Sequence, residues 1–458
     1  MEVDMKLQFL GAQEGVTGSC YHIQSDKTSF LIDCGQFQGS SEEERKNREP
    51  FPFDPKSLDF VVLTHAHIDH TGRLPRLVKE GFTGRVFMTR GTASLSDILL
   101  KDSGKIHEVE TEKENEKRLK AGLDLIEPYY DVNDVINTLQ YFNPLPYEET
   151  YKITNDISVK FLNAGHLLGS AHVYLTLEGK SLLFSGDVGT YHSQILLPPR
   201  PAIQADYIFV ESTYGNRLHK QMNIRFDRLA DIILETIENK GTVIIPAFSV
   251  GRTQDIIYGL NQLDRPLSHI PFYVDSPMAI NATKVFEKDL DGMKPEIIQK
   301  IKGKKHPFEM KNLQFIDDAS TSYKLDYSKV PKVLISASGM CDAGRILHHL
   351  KTYLEKETTS IVFVGYQAEE SQGRKIQNKK DIMIYGEEVK NRANVFTLHG
   401  FSGHADQEEL LEWLTNVRPK KLFLVHGDFE AIEAFNKKIK ERYKFDTYIP
   451  RLYETIEL

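Results

Sequence analysis

The sequence predicts an α/β protein in which one α/β domain is interrupted by another. Three observations carry that prediction. Short apolar runs bounded by Gly, Asp or Ser fill the first part of the chain, helices alternating with apolar strands replace them from about residue 212, and the first texture returns at about 395. The expected domains are therefore 1–211, 212–394 and 395–458, with the two outer segments belonging together. A chain of 458 residues, 40% of them apolar, is long enough for this and can bury a sizeable core.

Taken in order, LQFLGA, CYHIQ and SFLIDCG read as strands joined by tight turns. DFVVLT at 59–64 is a buried-type strand that runs straight into His65. RLPRLVKEG reads as a helix closed by Gly81, RVFMT as a strand, and residues 101–140 as charge-dense helix. Strands resume from 151 with YKITND, ISVKFLNAGH and AHVYLTLEGKSLLFSGD, and YIFVESTYG at 207–215 ends its apolar run on an acid. Next, MNIRFDRLADIILETIENKG is an amphipathic helix leading into the strand and loop TVIIPAFSVG. QDIIYGLNQL and RILHHLKTYLEK are helical, while PFYVDS, KVLISASGM and SIVFVGY are strands, a pattern of βαβ units on a parallel sheet. VFTLHGFSGHADQEELLEWLTNV and KKLFLVHGD then repeat strand, histidine loop and helix.

Composition excludes several classes. With 57 Lys+Arg against 65 Asp+Glu the net charge is −8, which argues against a broad, non-specific nucleic-acid binder but not against local phosphate contacts. No run approaches the ~18 apolar residues of a membrane span, and MEVDMKLQFL is no signal peptide. Cys20, Cys34 and Cys341 are far apart and in no CxxC spacing, against both a disulfide framework and a thiolate metal site. The expectation is a soluble cytoplasmic protein.

The strongest signal is HAHIDH at 65–70, too polar a cluster to be core packing. Imidazole and carboxylate donors suit Zn, Mn or Fe. Four ligands from one loop would crowd a single ion, so further donors should arrive from elsewhere. His166 in AGHLLGSAH, Asp187 in LLFSGDVG and His426 in LFLVHGD each follow an apolar run and sit beside glycine, as side chains delivered to one sheet edge would.

These motifs resemble the metallo-β-lactamase fold superfamily and, more narrowly, its β-CASP family of RNA- and DNA-processing nucleases. The likeness spans nearly the whole chain, through FLIDCGQFQG, HAHIDHTGRLP, AGHLLGSAH, SGDVG, VESTYGNRLH, PAFSVGRTQ, VDSPMA, SASGMCDAGR, VGYQAEESQGR, GFSGHAD and LVHGD. It implies an αββα metallo-β-lactamase sandwich with an inserted, parallel-sheet β-CASP domain. By motif, His65, His67 and His166 would hold one zinc ion and Asp69, His70 and His426 a second, with Asp187 bridging both. Asp33 would orient the site as a carboxylate behind the ligands. The implied cofactors are two Zn2+, with Mn2+ or Fe as alternatives, and a hydroxide generated on the metal pair would attack the phosphodiester. Asp69, Glu211 and His404 would be the catalytic residues, His404 protonating the departing 3′ oxygen while Glu211 holds it. Asp406, just after His404, also reads as a helix cap.

The insertion is expected to grip the sugar–phosphate backbone. Ser336, Ser338, Gly339 and Met340 form a small-residue turn whose backbone N–H groups suit phosphate, and Arg252 and Arg374 are the charged candidates. KIKGKKHPFEMK at 300–311 offers a further basic path. The implied partner is single-stranded RNA, with DNA and a homodimer left open and no membrane. The chain starts directly on the metal domain and has only about thirty residues after His426, so neither the N-terminal KH modules of some relatives nor the C-terminal domain of ribonuclease J is expected. Two alternatives stay open: a small-molecule hydrolase of the lactonase or thioesterase kind, which has no use for the insertion, and a non-catalytic RNA-binding subunit, which needs no metal.

Overall fold

The computed structural model describes residues 5–220, 222–303 and 306–458. The chain forms two compact units, one built from the chain up to Tyr191 with Leu197–Leu218 and His404–Leu458, the other from His192–Leu196 and His219–Gly403.

The first unit holds two seven-stranded sheets. One orders Thr455–Glu457, Lys6–Phe9, Tyr21–Gln24, Ser29–Ile32, Phe60–Val62, Arg85–Thr89 and Phe142–Leu145. The other orders Thr447–Tyr448, Lys421–Val425, Tyr207–Glu211, Lys180–Phe184, Ala171–Leu177, Ile157–Asn163 and Thr150–Lys152. Alternation along a strand decides which residue faces which layer. In Lys421–Val425, Phe423 and Val425 face the opposite sheet, in one core with Phe9, Phe30, Val173 and Phe209. Leu422 and Leu424 point the other way, onto Leu410, Trp413, Ile432 and Phe435 of the helices Gln407–Trp413 and Phe429–Arg442. Leu74 and Leu77 of the helix Leu74–Lys79 cover Leu31, Val61 and Val86 in the same way. The result is an αββα sandwich.

Strand direction matters for the chemistry. Lys180–Phe184, Tyr207–Glu211 and Lys421–Val425 run parallel as neighbours, so their carboxyl ends lie side by side. Ser29–Ile32 and Phe60–Val62 are likewise parallel in the facing sheet. Ligand sites of α/β sheets sit beyond such ends, and here Asp33, His65, Asp187, Glu211 and His426 occupy them.

The second unit is a six-stranded, all-parallel sheet ordered Leu313–Phe315, Phe272–Asp275, Lys332–Ser336, Thr242–Pro246, Ser360–Phe363 and Asn394–Thr397. Its last strand corrects the expectation that residues from 395 rejoin the first domain. Asn394–Thr397 pairs with Ser360–Phe363, and the chain returns to the first unit only at His404. An apolar run specifies a strand but not which sheet will take it. In the lysine-rich stretch, Lys304 and Lys305 lie outside the described residues, while the Lys300 ammonium donates to Gln262 Oε1 at 2.6 Å and lies 4.8 Å from the Tyr258 ring centre. Among the described residues no helix is long and apolar enough to cross a membrane.

Candidate metal centre

The loop after Phe60–Val62 carries His65 and His67, and the short helix Ile68–Thr71 turns the chain so that Asp69 and His70 come back beside them. Backbone bonds clamp this loop: Ser19 N–H donates to Asp69 O at 2.8 Å, Cys34 N–H to His70 O at 2.8 Å and Gln36 N–H to Ile68 O at 2.9 Å. Glycine is required at position 35, where a Cβ would lie 1.6 Å from the Asp69 carbonyl oxygen. Asp33 and His426 adopt left-handed backbone angles, φ of 59° and 52°, uncommon for residues with a side chain and concentrated at functional sites.

Seven predicted donors converge in two groups. In the first, His65 Nε2 lies 3.0 Å from His67 Nδ1, His166 Nε2 lies 3.2 Å from the same atom, and Asp187 Oδ2 is 3.4 Å from both His65 and His166. In the second, His70 Nε2 lies 3.2 Å from His426 Nε2, while Asp69 Oδ2 is 3.8 Å from His70 and 3.6 Å from His426. Asp187 turns its other oxygen to this group, with Oδ1 3.3 Å from His70 Nε2. That Oδ1 is buried and accepts no hydrogen bond.

Each of these groups has the donor chemistry of a metal site. Four ligands at the 2.0–2.1 Å of zinc bonds stand about 3.3–3.4 Å apart in a tetrahedron, close to the spacings seen. Imidazole nitrogens and carboxylate oxygens gathered at such spacings are the donor types that zinc takes. His67 presents Nδ1 where His65 and His166 present Nε2, which lets two residues of one strand-end segment reach a common point.

The partners behind the donors explain how they are held. His70 Nδ1 bonds Asp33 Oδ2 at 2.7 Å, and Thr64 Oγ1 donates to Asp33 while standing 3.1 Å from His65 Nδ1. Thr213 Oγ1 lies 3.2 Å from His426 Nδ1. Residue patterning missed Thr64 and Thr213 because a hydroxyl at a strand end is commonplace; position directly beside HAHIDH and Glu211 was the available signal. Burial lowers the pKa of His65 well below the ordinary histidine value and lowers that of His67. Burial would raise Asp187, but the imidazoles of His426, His70 and His65 hold it well below the usual carboxylate range.

Beside the donors stands a second pair. His404 Nδ1 is 3.2 Å from Glu211 Oε1 and 3.9 Å from Asp187 Oδ2. Glu211 is almost fully buried and fixed by the N–H groups of Val188 at 2.7 Å and Thr213 at 3.2 Å. Burial opposes the charge on His404, yet Glu211, with Asp187 and Asp69, pushes its pKa up to about 9. Asp406 caps the following helix through Glu409 N–H at 3.0 Å.

The remaining predicted residues lie in the second unit. Ser336 departs from its expected phosphate role: it is buried, and its hydroxyl donates to the Asp275 carbonyl at 3.1 Å, because the strand carries it under the turn. Among the described residues nothing takes up the N–H groups of Gly339 and Met340. Ser338 Oγ accepts from Asp342 N–H at 3.3 Å, and Arg374 Nη2 donates to Gln367 O at 2.6 Å. Arg252 stands 3.7 Å from Asp255.

Fold and site together define a metal-dependent hydrolase of the metallo-β-lactamase superfamily, whose model matches residues 14–229. The chain belongs to the β-CASP family within it: the Beta-Casp domain matches residues 253–376 and the Zn-dependent metallo-hydrolase RNA specificity domain residues 388–450. It is 38% identical over 439 residues to ribonuclease TTHA0252 of Thermus thermophilus, covering 96% of each chain. It is 31% identical to an RNase J-like protein of Methanocaldococcus jannaschii over 97% of each chain. It is also 30% identical to the transcription termination factor FttA of that organism, over 99% of this chain and 72% of the other. A solved protein of unknown function from Enterococcus faecalis V583 shares the fold, with a TM-score of 0.57, 13% identity and coverage of 99% and 100%.

Proposed function

We propose that the protein is a zinc-dependent ribonuclease that hydrolyses phosphodiester bonds of single-stranded RNA in RNA processing or degradation. The observation that carries this is one carboxylate, Asp187, turning an oxygen to each of two donor groups beside the His404–Glu211 pair. In this reading His65, His67 and His166 would hold one ion and Asp69, His70 and His426 the other, with Asp187 available to both. Such ions supply Lewis acidity, acidifying a water and neutralising phosphate charge.

The chain's own residues do the rest. Asp33 fixes the Nδ1 side of His70 and so aims its Nε2 inward. Glu211 accepts from His404 Nδ1 and keeps the ring protonated; the proton on Nε2 is the one handed to the leaving 3′ oxygen, which leaves phosphate on the 5′ side. In the unit of residues 219–403, the N–H groups of Gly339 and Met340 with Ser338, Arg252 and Arg374 contact the RNA backbone. We assign the unit that ends with 404–458 to the metal-bearing role and the unit of residues 219–403 to the RNA-gripping one, at work in the cytoplasm; a homodimer is the assembly to test.

The test is a time course on 5′- and 3′-labelled single-stranded RNA. Zinc-replete protein should cleave, chelation should stop it and zinc should restore it. Intact RNA in the presence of protein loaded with two ions overturns the reading. His404→Ala should lose most cleavage while keeping its metal; metal loss would make His404 a ligand.

A further inference from the structure

The turn at Gly339 carries two aromatic rings that the fold does not bury. Phe248, in the loop after Thr242–Pro246, is 47% exposed, and Tyr366, in the loop after Ser360–Phe363, is 42% exposed. Both loops lie against the same glycine. A Cβ at Gly339 would lie 3.1 Å from Phe248 N and 3.3 Å from the Phe248 ring. Gln367, itself 2% exposed, donates from Nε2 to Gly339 O at 2.8 Å and to Tyr366 O at 3.0 Å. The Arg374 guanidinium lies 5.6 Å from the Tyr366 ring centre, and its Nε is buried without an acceptor.

Burial would stabilise each ring, by about 1.5–3 kcal/mol for a full phenylalanine, and this pair forgoes much of that. Single exposed rings are unremarkable on a surface. Two half-exposed rings beside one turn, whose Gly339 and Met340 N–H groups meet no acceptor among the described residues, combine two different recognition chemistries. Backbone N–H groups and a guanidinium suit phosphate oxygens. Half-exposed aromatic rings suit the flat faces of nucleobases, which any sequence presents once its strand is unpaired.

We infer that Phe248 and Tyr366 form a nucleobase-stacking subsite flanking the Gly339 turn, which selects single-stranded RNA by its unpaired bases while the turn takes a phosphate. The inference rests on the ribonuclease reading. Duplex RNA keeps its base faces stacked on one another and cannot use the subsite, so the two rings act as a filter for strand state, not for base identity.

The experiment compares a single-stranded RNA with the same RNA made abasic at successive positions, and uses bis(p-nitrophenyl) phosphate as a base-free diester. The proteins are the zinc-loaded full chain and its Phe248→Leu, Phe248→Trp and Tyr366→Leu variants. Phe248→Leu and Tyr366→Leu should each raise KM for intact RNA about 5- to 150-fold, with kcat at saturation, metal content and small-diester hydrolysis unchanged. Phe248→Trp should restore a low KM. An abasic nucleotide at one register should raise KM of the parent protein but leave that of the leucine variants unmoved. Unchanged KM in both leucine variants, or equal sensitivity to abasic sites in parent and variants, overturns the stacking subsite. Failure of the parent protein to cleave RNA while it hydrolyses the small diester overturns the ribonuclease reading instead.

Discussion

Each unit carries a buried cluster of histidine and carboxylate, and the two are built on opposite logic. At the candidate metal centre nitrogen faces nitrogen: His65 Nε2 and His166 Nε2 stand 3.0 and 3.2 Å from His67 Nδ1, beside the Asp187 carboxylate. In the second unit, Asp275, His348 and His349 are gathered as tightly, their donor atoms within 4.8 Å of one another. There, donors alternate with acceptors. His349 bridges Asp326 Oδ1 at 2.7 Å and Asp275 Oδ2 at 2.8 Å, His348 bridges Asp326 Oδ2 at 2.6 Å and Ser322 at 2.9 Å, and Arg345 donates to Asp275 Oδ1 at 2.7 Å. Burial would lower the His349 pKa, but Asp275 and Asp326, one facing each ring nitrogen, raise it, so both nitrogens are already taken up by carboxylates. Composition and proximity do not separate a cation site from a structural network; whether the ring nitrogens face one another or face carboxylates does.

The comparison breaks most sharply at Asp187. Asp187→Asn removes the charge that both donor groups share, and RNA cleavage should fall by more than the roughly 10- to 100-fold that loss of an outer partner costs, with metal content falling in elemental analysis. His349→Ala should do the reverse. Metal content and kcat should hold, while unfolding free energy drops by about 3–5 kcal/mol as buried Asp275 and Asp326 lose their shared partner, read by urea denaturation. A metal loss there would mean that the second cluster is a cation site after all.

A smaller effect separates ligands from their supports. Asp33→Asn keeps all seven donors but slackens His70, so zinc affinity should fall by about 10- to 100-fold, measured by competition with a chromophoric chelator. The smallest effect is a pH profile. The raised pKa of His349 means its contribution to stability is full below the ordinary histidine value near 6.5 and is lost as pH rises through the folded value. The lowered values of Asp275 and Asp326 place their contribution above the ordinary aspartate value, lost as pH falls through the folded ones. The stability gap between the parent and His349→Gln should therefore be widest between about pH 4 and 6.5 and shrink on the alkaline side.

The two clusters were unequally legible in the sequence. HAHIDH is a contiguous polar run after an apolar strand, so it declared itself, and His166, Asp187 and His426 followed from their places at strand ends beside glycine. The second network has no local pattern, because its members come from positions 275, 322, 326, 345, 348 and 349 and meet only when parallel strands align Asp275 with Ser336. The same non-locality hid the parentage of Asn394–Thr397, whose partner strand lies more than thirty residues earlier. It also hid the fate of Ser336, since a residue at a strand end can face outward into a turn or downward onto its neighbour.

The most direct measurement is the metal stoichiometry of the purified chain, taken alongside its cleavage of single-stranded RNA, before chelation, after it and after zinc is returned. Two ions per chain are expected, with cleavage lost and regained in step with them. A chain that binds one ion or none and still cuts RNA at full rate would contradict the paired site that Asp187 joins.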